Sequence, residues 1–272
     1  MLPIALNHMT VPGLRYDAFL DLAKRLGCIG VELRNDLPGP LFEGDAPETV
    51  AAKARENGLR IIGLSQVYPF NVWSDDVRAE VEALIETAVA CGAETISLIP
   101  RNDGQGLGNG EREANLRLAL REIKPLLDAA DLVALVEPLG FLTSSLRDKA
   151  EAVAVVESLG AAERYKLVHD TFHHHLAGGG PIFPEYTGIV HVSGVVDPTL
   201  AVSAMRDEHR ILVDADDRLG NIDQLARLRA AGYAGPISFE VFSPAVHNLA
   251  DPETALRESI TFIERQLAKL AA

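Results

Sequence analysis

Cysteine is scarce in this chain. Only two cysteines, Cys28 and Cys91, occur among 272 residues, and each lies just before a predicted strand. Two isolated thiols cannot provide the crosslinks that hold small secreted domains together. The cysteine content therefore excludes a disulfide framework and predicts a reducing, cytoplasmic setting.

Basic residues are also under-represented. The chain has 25 lysines and arginines against 39 aspartates and glutamates, which gives a formal net charge of −14. A field of this sign repels nucleic-acid phosphates and anionic membrane lipids. The charge balance therefore argues against nucleic acid and against a membrane as partners.

Long hydrophobic runs are missing as well. No stretch reaches the roughly 18 apolar residues that a membrane span needs. The first eight residues lack the basic segment and apolar core of a signal peptide. No dinucleotide-binding glycine fingerprint follows the first predicted strand, and we expect the glycine-rich residues 104–108 to form a flexible loop.

A repeating unit runs through the chain instead: an amphipathic segment, often a glycine, and then a short apolar run. Residues 16–26 have helical spacing, Gly27 is suited to the C-terminal cap, and an apolar run begins at Gly30. A second helix is predicted over residues 76–90 because its apolar residues form one stripe. The apolar runs predict strands at residues 3–6, 30–33, 60–64, 95–99, 132–136, 166–169, 188–192 and 237–241.

Eight apolar strands that alternate with helices indicate a parallel sheet covered by helices on its outer face. The length of 272 residues matches one eight-stranded barrel, and no second zone of composition suggests another domain. We therefore predict an α/β protein with a single (β/α)8 TIM-barrel domain over residues 1–272.

Four ligand-type residues close or occupy the ends of four successive strands: Glu137, Asp170, His191 and Glu240. Each has an ordinary alternative explanation, since strand-end carboxylates cap helices or pair with arginines and a strand histidine is commonly a core residue. In a barrel, however, these ends meet at one rim. Three carboxylates and an imidazole brought together there need a cation, so we predict a metal site.

The predicted ligand set contains three carboxylates and one imidazole, with no thiolate. Such a set suits Mn²⁺, Co²⁺, Fe²⁺ or Zn²⁺, whereas Mg²⁺ and Ca²⁺ sites usually avoid histidine. We predict one divalent ion, with Mn²⁺ favoured, and open positions for substrate oxygens.

Residues 170–175 read Asp-Thr-Phe-His-His-His. Three adjacent histidines point in different directions, so they cannot all bind one metal ion. We predict that His173 hydrogen-bonds a substrate oxygen, and that His174 and His175 lie in a short loop or on a helix surface.

Taken together, these features resemble the xylose isomerase-like barrel superfamily of sugar isomerases, epimerases and endonuclease-type enzymes. Within it, the likeness is greatest to the inosose (2-keto-myo-inositol) isomerase group. The resemblance covers most of the chain and is carried by residues 31–34, 136–137, 169–175, 207–210 and 237–244.

The resemblance implies that the four strand-end residues bind the metal and that His173 and Arg210 contact substrate oxygens. For Arg210, a loop salt bridge with Asp207 or Asp214 is the alternative. Glu32, Asn71 and Arg101 are further predicted substrate contacts. Trp73 either walls the pocket or packs between helices, and we include it among the predicted substrate contacts.

Two departures from the family pattern leave the substrate open. A Pro-Gly-x-Gly turn is replaced here by residues 213–221, and His8 stands where the isomerases carry a glutamate. Both positions are expected to lie near the pocket.

The chemistry these residues favour is proton transfer beside the carbonyl of a small polyol or keto-sugar, with Glu137 and Glu240 as candidate catalytic carboxylates. Two carboxylates on opposite faces of the substrate would allow epimerisation, and one alone would give a 1,2-carbonyl shift. We predict a metal-dependent inosose isomerase. The alternatives are a ketose 3-epimerase, a hydroxypyruvate-type isomerase and an inosose dehydratase.

Two readings from other classes are less well supported. A DNA-repair endonuclease would need a basic groove and a multi-zinc cluster, whereas this chain is acidic and has eight histidines. A non-catalytic sugar-binding barrel would tolerate the loss of a ligand, yet all four ligand positions are filled. A homo-oligomer is possible, but the sequence identifies no interface.

Overall fold

The computed structural model describes residues 2–270 and confirms the predicted barrel. Within these residues, eight parallel strands pair in chain order, and the eighth pairs with the first to close the sheet. The strands are β1 Ile4–Asn7, β2 Gly30–Arg34, β3 Arg60–Val67, β4 Thr95–Leu98, β5 Val133–Val136, β6 Tyr165–Asp170, β7 Thr187–Val192 and β8 Ile237–Phe239.

Helices follow the strands and form the outer layer. They are α1 Tyr16–Leu26, α2 Pro47–Glu56, α3 Asp75–Cys91, α4 Glu111–Ala130, α5 Lys149–Ser158, α6 Thr171–Leu176, α7 Asn221–Ala230, α8 Pro244–His247 and α9 Pro252–Leu270. Short 3-10 turns lie at His8–Thr10, Leu41–Gly44, Val202–Ala204 and Asp207–His209. Across residues 2–270, no helix combines the length and the apolar character needed to cross a bilayer.

The predicted elements are confirmed to within a few residues. Helix α1 has the predicted bounds, and Gly27 ends it with a left-handed φ of 76° that glycine adopts without strain. Helix α3 begins after Ser74, whose hydroxyl accepts a hydrogen bond from the Val77 amide. The largest shift among the strands is in β3, which continues to Val67.

The strands are buried on both faces, which explains their nearly continuous apolar sequence. Alternate residues point outward to the helices or inward to the barrel axis. The inward residues Ala5, Ile62, Leu135, Val168 and Ile189 form an apolar cluster of their own. The candidate site lies above this apolar cluster, at the carboxyl ends of the strands.

Candidate metal centre

The structure brings the four predicted ligand residues together. Glu137, Asp170, His191 and Glu240 each offer one ligand atom, and these atoms all lie within 4.8 Å of one another. All four side chains are buried. They converge because β5 to β8 are neighbours in a parallel barrel, so that the residues at their carboxyl ends share one rim.

The imidazole of His191 is oriented by a carboxylate behind it. Its Nε2 lies 3.0 Å from Oε2 of the fully buried Glu32, which assigns the ring proton to Nε2. Its Nδ1 lies 3.2 Å from Oε2 of Glu240 but has no hydrogen-bond partner among residues 2–270. A carboxylate behind a histidine whose other nitrogen is free is the usual arrangement at metal-binding histidines.

The electrostatics of the cluster also fit a cation. Burial by itself lowers the pKa of His191, but the carboxylates of Glu32 and Glu240 raise this pKa well above its ordinary value. Burial raises the pKa of Glu137, and the negative charge of Glu240 raises it further. Both pKa shifts show that the cluster carries an excess of negative charge. A divalent ion on the three carboxylates and the free Nδ1 would relieve this excess.

Arg210 lies against two of the ligand carboxylates. Its Nη2 donates to Oδ2 of Asp170 at 2.5 Å and to Oε2 of Glu240 at 3.1 Å. Its guanidinium lies between the rings of Phe172 and Phe242, at 5.0 and 4.6 Å from their centroids. An ion pair with Asp207 at the rim is also present, at 3.3 Å. Arg210 thus balances charge inside the site, and its contact with substrate stays a prediction.

Arg34 is a site residue to which the sequence analysis assigned no role. Its Nη1 donates to Oε1 of Glu240 at 2.7 Å, and its Nε and Nη2 donate to Asp36 at 2.8 and 2.7 Å. The two-residue period of a β-strand could have predicted this role, because residues two apart on a strand face the same side. Once Glu32 was expected in the site, Arg34 should have been expected beside it.

A cavity of about 220 Å³ opens beside the cluster. Glu137, Arg210, Glu240 and His173 line it, together with the aromatic rings of Phe141 and Phe242. The Nε2 of His173 lies 3.9 Å from Oε1 of Glu137. The structure thus places His173 where the sequence analysis expected it, in the pocket beside the ligand set.

The structure places four other predicted substrate contacts outside the lining of this cavity. Glu32 lies behind His191 and is fully buried. The Asn71 amide group joins two loops, since its Oδ1 accepts from the Arg101 amide and its Nδ2 donates to Ser145. The Arg101 guanidinium binds Asp103 and Gln105 instead. Trp73 packs against the core and under the guanidinium of Arg78, which agrees with the packing alternative.

The prediction for His174 is wrong. Helix α6 turns His174 inward, and Nζ of Lys149 lies 2.9 Å from its Nδ1 and 3.1 Å from Nδ1 of His169. The Nε2 of His169 lies 2.9 Å from Oε1 of Gln224, on the outer side of β6. Burial lowers the pKa of Lys149 to about 7. His175, by contrast, is half-buried on the same helix.

The two departures from the family pattern have structural explanations. His8 stacks on Phe19 with ring centroids 4.2 Å apart, and its Nε2 lies 2.8 Å from the Leu14 carbonyl oxygen, so it packs against α1. Within residues 213–221, the carboxylate of Asp217 accepts hydrogen bonds from the backbone amides of Leu219 and Asn221. The hydrogen bonds of this segment therefore stabilise its own loop, and none of its residues lines the cavity.

Comparison with known proteins supports the fold and shows the family. A family model described as xylose isomerase-like TIM barrel matches residues 20–266. A xylose isomerase domain containing protein from Salmonella typhimurium LT2 is 34% identical, with a TM-score of 0.89 over 98% of this chain and 97% of that chain. Inosose isomerase from Halalkalibacterium halodurans is 24% identical over 218 residues, 76% of each chain. The structure of IolI protein with a binding zinc atom is 17% identical, with a TM-score of 0.83 over 98% and 99% of the two chains.

Proposed function

The chain belongs to the xylose isomerase-like TIM-barrel family, and from this premise we propose that it is a divalent-metal-dependent isomerase of a small keto-polyol. Inosose is the first candidate substrate, because a curated relative is an inosose isomerase. The observation that carries the proposal is the buried cluster of three carboxylates beside the free Nδ1 of His191.

Glu137, Asp170, His191 and Glu240 would hold the ion. A divalent cation there would stabilise the negative charge that develops on the substrate oxygens when the neighbouring carbon loses a proton. Mn²⁺ is our first choice because the donor set mixes carboxylates with an imidazole. Zn²⁺ is the alternative, since IolI was solved with a zinc atom.

Glu137 is the better placed of the two candidate carboxylates for taking the proton. It lines the cavity, and within the described residues its carboxylate has no arginine or lysine nitrogen within 4.0 Å. Both oxygens of Glu240, by contrast, accept hydrogen bonds from guanidinium groups. A carboxylate must have a free oxygen within reach of the substrate carbon to act as a general base.

His173 is positioned to bind the substrate rather than the ion. Its ring lies edge-on to Phe141 and Phe172, with centroids 5.2 Å away in each case, and this packing fixes its orientation. Its Nε2 is near Glu137 and can therefore hydrogen-bond an oxygen of a substrate held against that carboxylate.

Proton exchange is the direct test. The protein is freed of metal with a chelator, reloaded with Mn²⁺ and incubated with inosose in D₂O, and the carbon-bound protons are followed by NMR. We expect metal-dependent exchange and the appearance of an isomeric ketone. Glu94→Gln is the matched control, because Glu94 pairs with Arg60 before β4, at the opposite end of the barrel.

The same experiment separates the alternatives. Exchange on a ketohexose or on hydroxypyruvate, with none on inosose, would replace the substrate but keep the reaction class. Loss of water to an ultraviolet-absorbing enone would indicate an inosose dehydratase. Tight metal binding with no exchange on any of these compounds would contradict the proposed isomerase.

A further inference from the structure

Two arginines bind Glu240, one on each carboxylate oxygen. Nη1 of Arg34 lies 2.7 Å from Oε1, and Nη2 of Arg210 lies 3.1 Å from Oε2. The side chains of Arg34, Arg210 and Glu240 are 5%, 1% and 4% exposed. Hydrogen bonds between charged groups at such depth are strong and strictly oriented, so the Glu240 carboxylate is held from both sides.

Arg34 is itself fixed from behind. Its Nε and Nη2 form a bidentate pair with the two oxygens of Asp36, at 2.8 and 2.7 Å. Oδ2 of Asp36 also accepts a hydrogen bond from Nε2 of Gln66, at 3.2 Å. The planar guanidinium therefore has one orientation, in which Nη1 points at Glu240.

Glu137 has no comparable restraint among residues 2–270. The nitrogens of charged or titratable side chains nearest its carboxylate belong to His191 and His173, at 3.8 and 3.9 Å. The two glutamates are therefore not equivalent. To accept the substrate proton, Glu240 would have to break a hydrogen bond to an arginine. Glu137 could accept the proton without breaking such a bond.

We propose that Arg34 is a positioning residue that holds Glu240 in place and thereby confines proton transfer to Glu137, on one face of the substrate. This inference rests on the proposed function. Glu137 takes the proton from the hydroxyl-bearing carbon and returns it to the former carbonyl carbon. The hydroxyl proton passes to the former carbonyl oxygen, so no atom is gained or lost. The outcome is a 1,2-carbonyl shift in which the proton leaves and returns on the same face of the ene-diol.

The test removes Arg34 and Asp36 together, as Arg34→Met with Asp36→Leu, which leaves the net charge unchanged. We expect turnover of the isomerisation to fall about 10- to 100-fold, the range typical of groups that orient metal ligands. The KM should change less than about threefold, because the substrate contacts remain. Released Glu240 should also produce a detectable epimer of the substrate, identified by NMR.

The chain offers a matched control pair. Arg60 and Glu94 also form a bidentate ion pair, with Nε to Oε1 and Nη2 to Oε2 distances of 2.5 Å, but they lie at the opposite end of the barrel and touch no carboxylate of the ligand set. Arg60→Met with Glu94→Leu should leave turnover and product unchanged. Arg34→Lys, which keeps the buried charge but not the bidentate geometry, should give an intermediate turnover and guards against a double variant that fails to fold.

The outcomes are distinct. Reduced turnover with epimer formation and full Mn²⁺ content would support the role of Arg34. Wild-type turnover with no epimer would overturn it. Loss of Mn²⁺ together with turnover would also overturn it, because Arg34 would then only support the ligand set. If the wild-type protein itself shows no metal-dependent exchange, the proposed function fails before Arg34 is tested.

Discussion

Two arginine–aspartate pairs with the same spacing lie on the rim of this barrel, and they have different surroundings. Arg34 is the last residue of β2 and Asp36 follows the strand. The Arg34 side chain is 5% exposed and contacts Glu240. Arg101 and Asp103 lie in the loop after β4, and the Arg101 side chain is 26% exposed. The two pairs share residue types and spacing. The burial of the arginine and the groups around it therefore account for their different roles.

The same contrast applies to the whole rim. The ends of β5 to β8, together with the end of β2 on the far side of β1, place charged groups around one point. The loops after β3 and β4 instead carry Asn71, Trp73 and Arg101, which bind other loops or pack on the core. One arc of the rim, here called the chemical arc, therefore carries the charged groups of the site. The other arc contributes Gln66, Tyr68, Ile99 and Asn102 to the cavity wall but none of the four ligand residues.

The largest effect should come from the chemical arc. Glu240→Gln removes a ligand charge and leaves Arg34 and Arg210 without their shared partner. We expect weak Mn²⁺ binding and a loss of turnover of about 10³-fold or more. Metal content measured by mass spectrometry, together with initial rates, tests this. Wild-type turnover in a variant that still binds Mn²⁺ would show that Glu240 has neither role.

The barrel and the ligand set could be predicted from the sequence because both depend on local patterns. Apolar runs mark the strands, and the residues that close parallel strands must meet at one rim. The strand period could have placed Arg34 in the site, but its contact with Glu240, 206 residues away, follows only from the way the barrel closes. Lys149 was missed because its burial depends on how α5 and α6 pack around His169 and His174.

The second prediction concerns Lys149. This lysine is buried against His169 and His174 and does not line the cavity beside the ligand set. Its ordinary pKa is 10.5, and burial lowers it to about 7. Between these values the unfolded chain holds a proton that the folded protein lacks. The stability of the metal-free protein should therefore rise with pH above 7, by up to about 1.4 kcal/mol per pH unit from this group.

Lys149→Met should remove that rise. Urea unfolding at pH 7.5 and pH 9 measures it, and Lys24→Met on the exposed surface of α1 is the matched control. An unchanged pH slope in Lys149→Met would show that the lysine is charged in the folded protein at both pH values. The negative charges of Asp170, Asp148 and Glu137 would then outweigh the effect of burial on Lys149.

The smallest effect should come from the other arc, where Arg101→Ala removes an exposed ion pair with Asp103. Pairs of this kind contribute about 0–1 kcal/mol, so stability should barely change. The KM for inosose should stay within about twofold of wild type, because the side chain does not reach the cavity. A tenfold rise in KM would mean that this loop closes over the bound substrate. The charged groups around the substrate would then not be confined to the chemical arc, because Arg101 would join Asn102 of the same loop at the cavity.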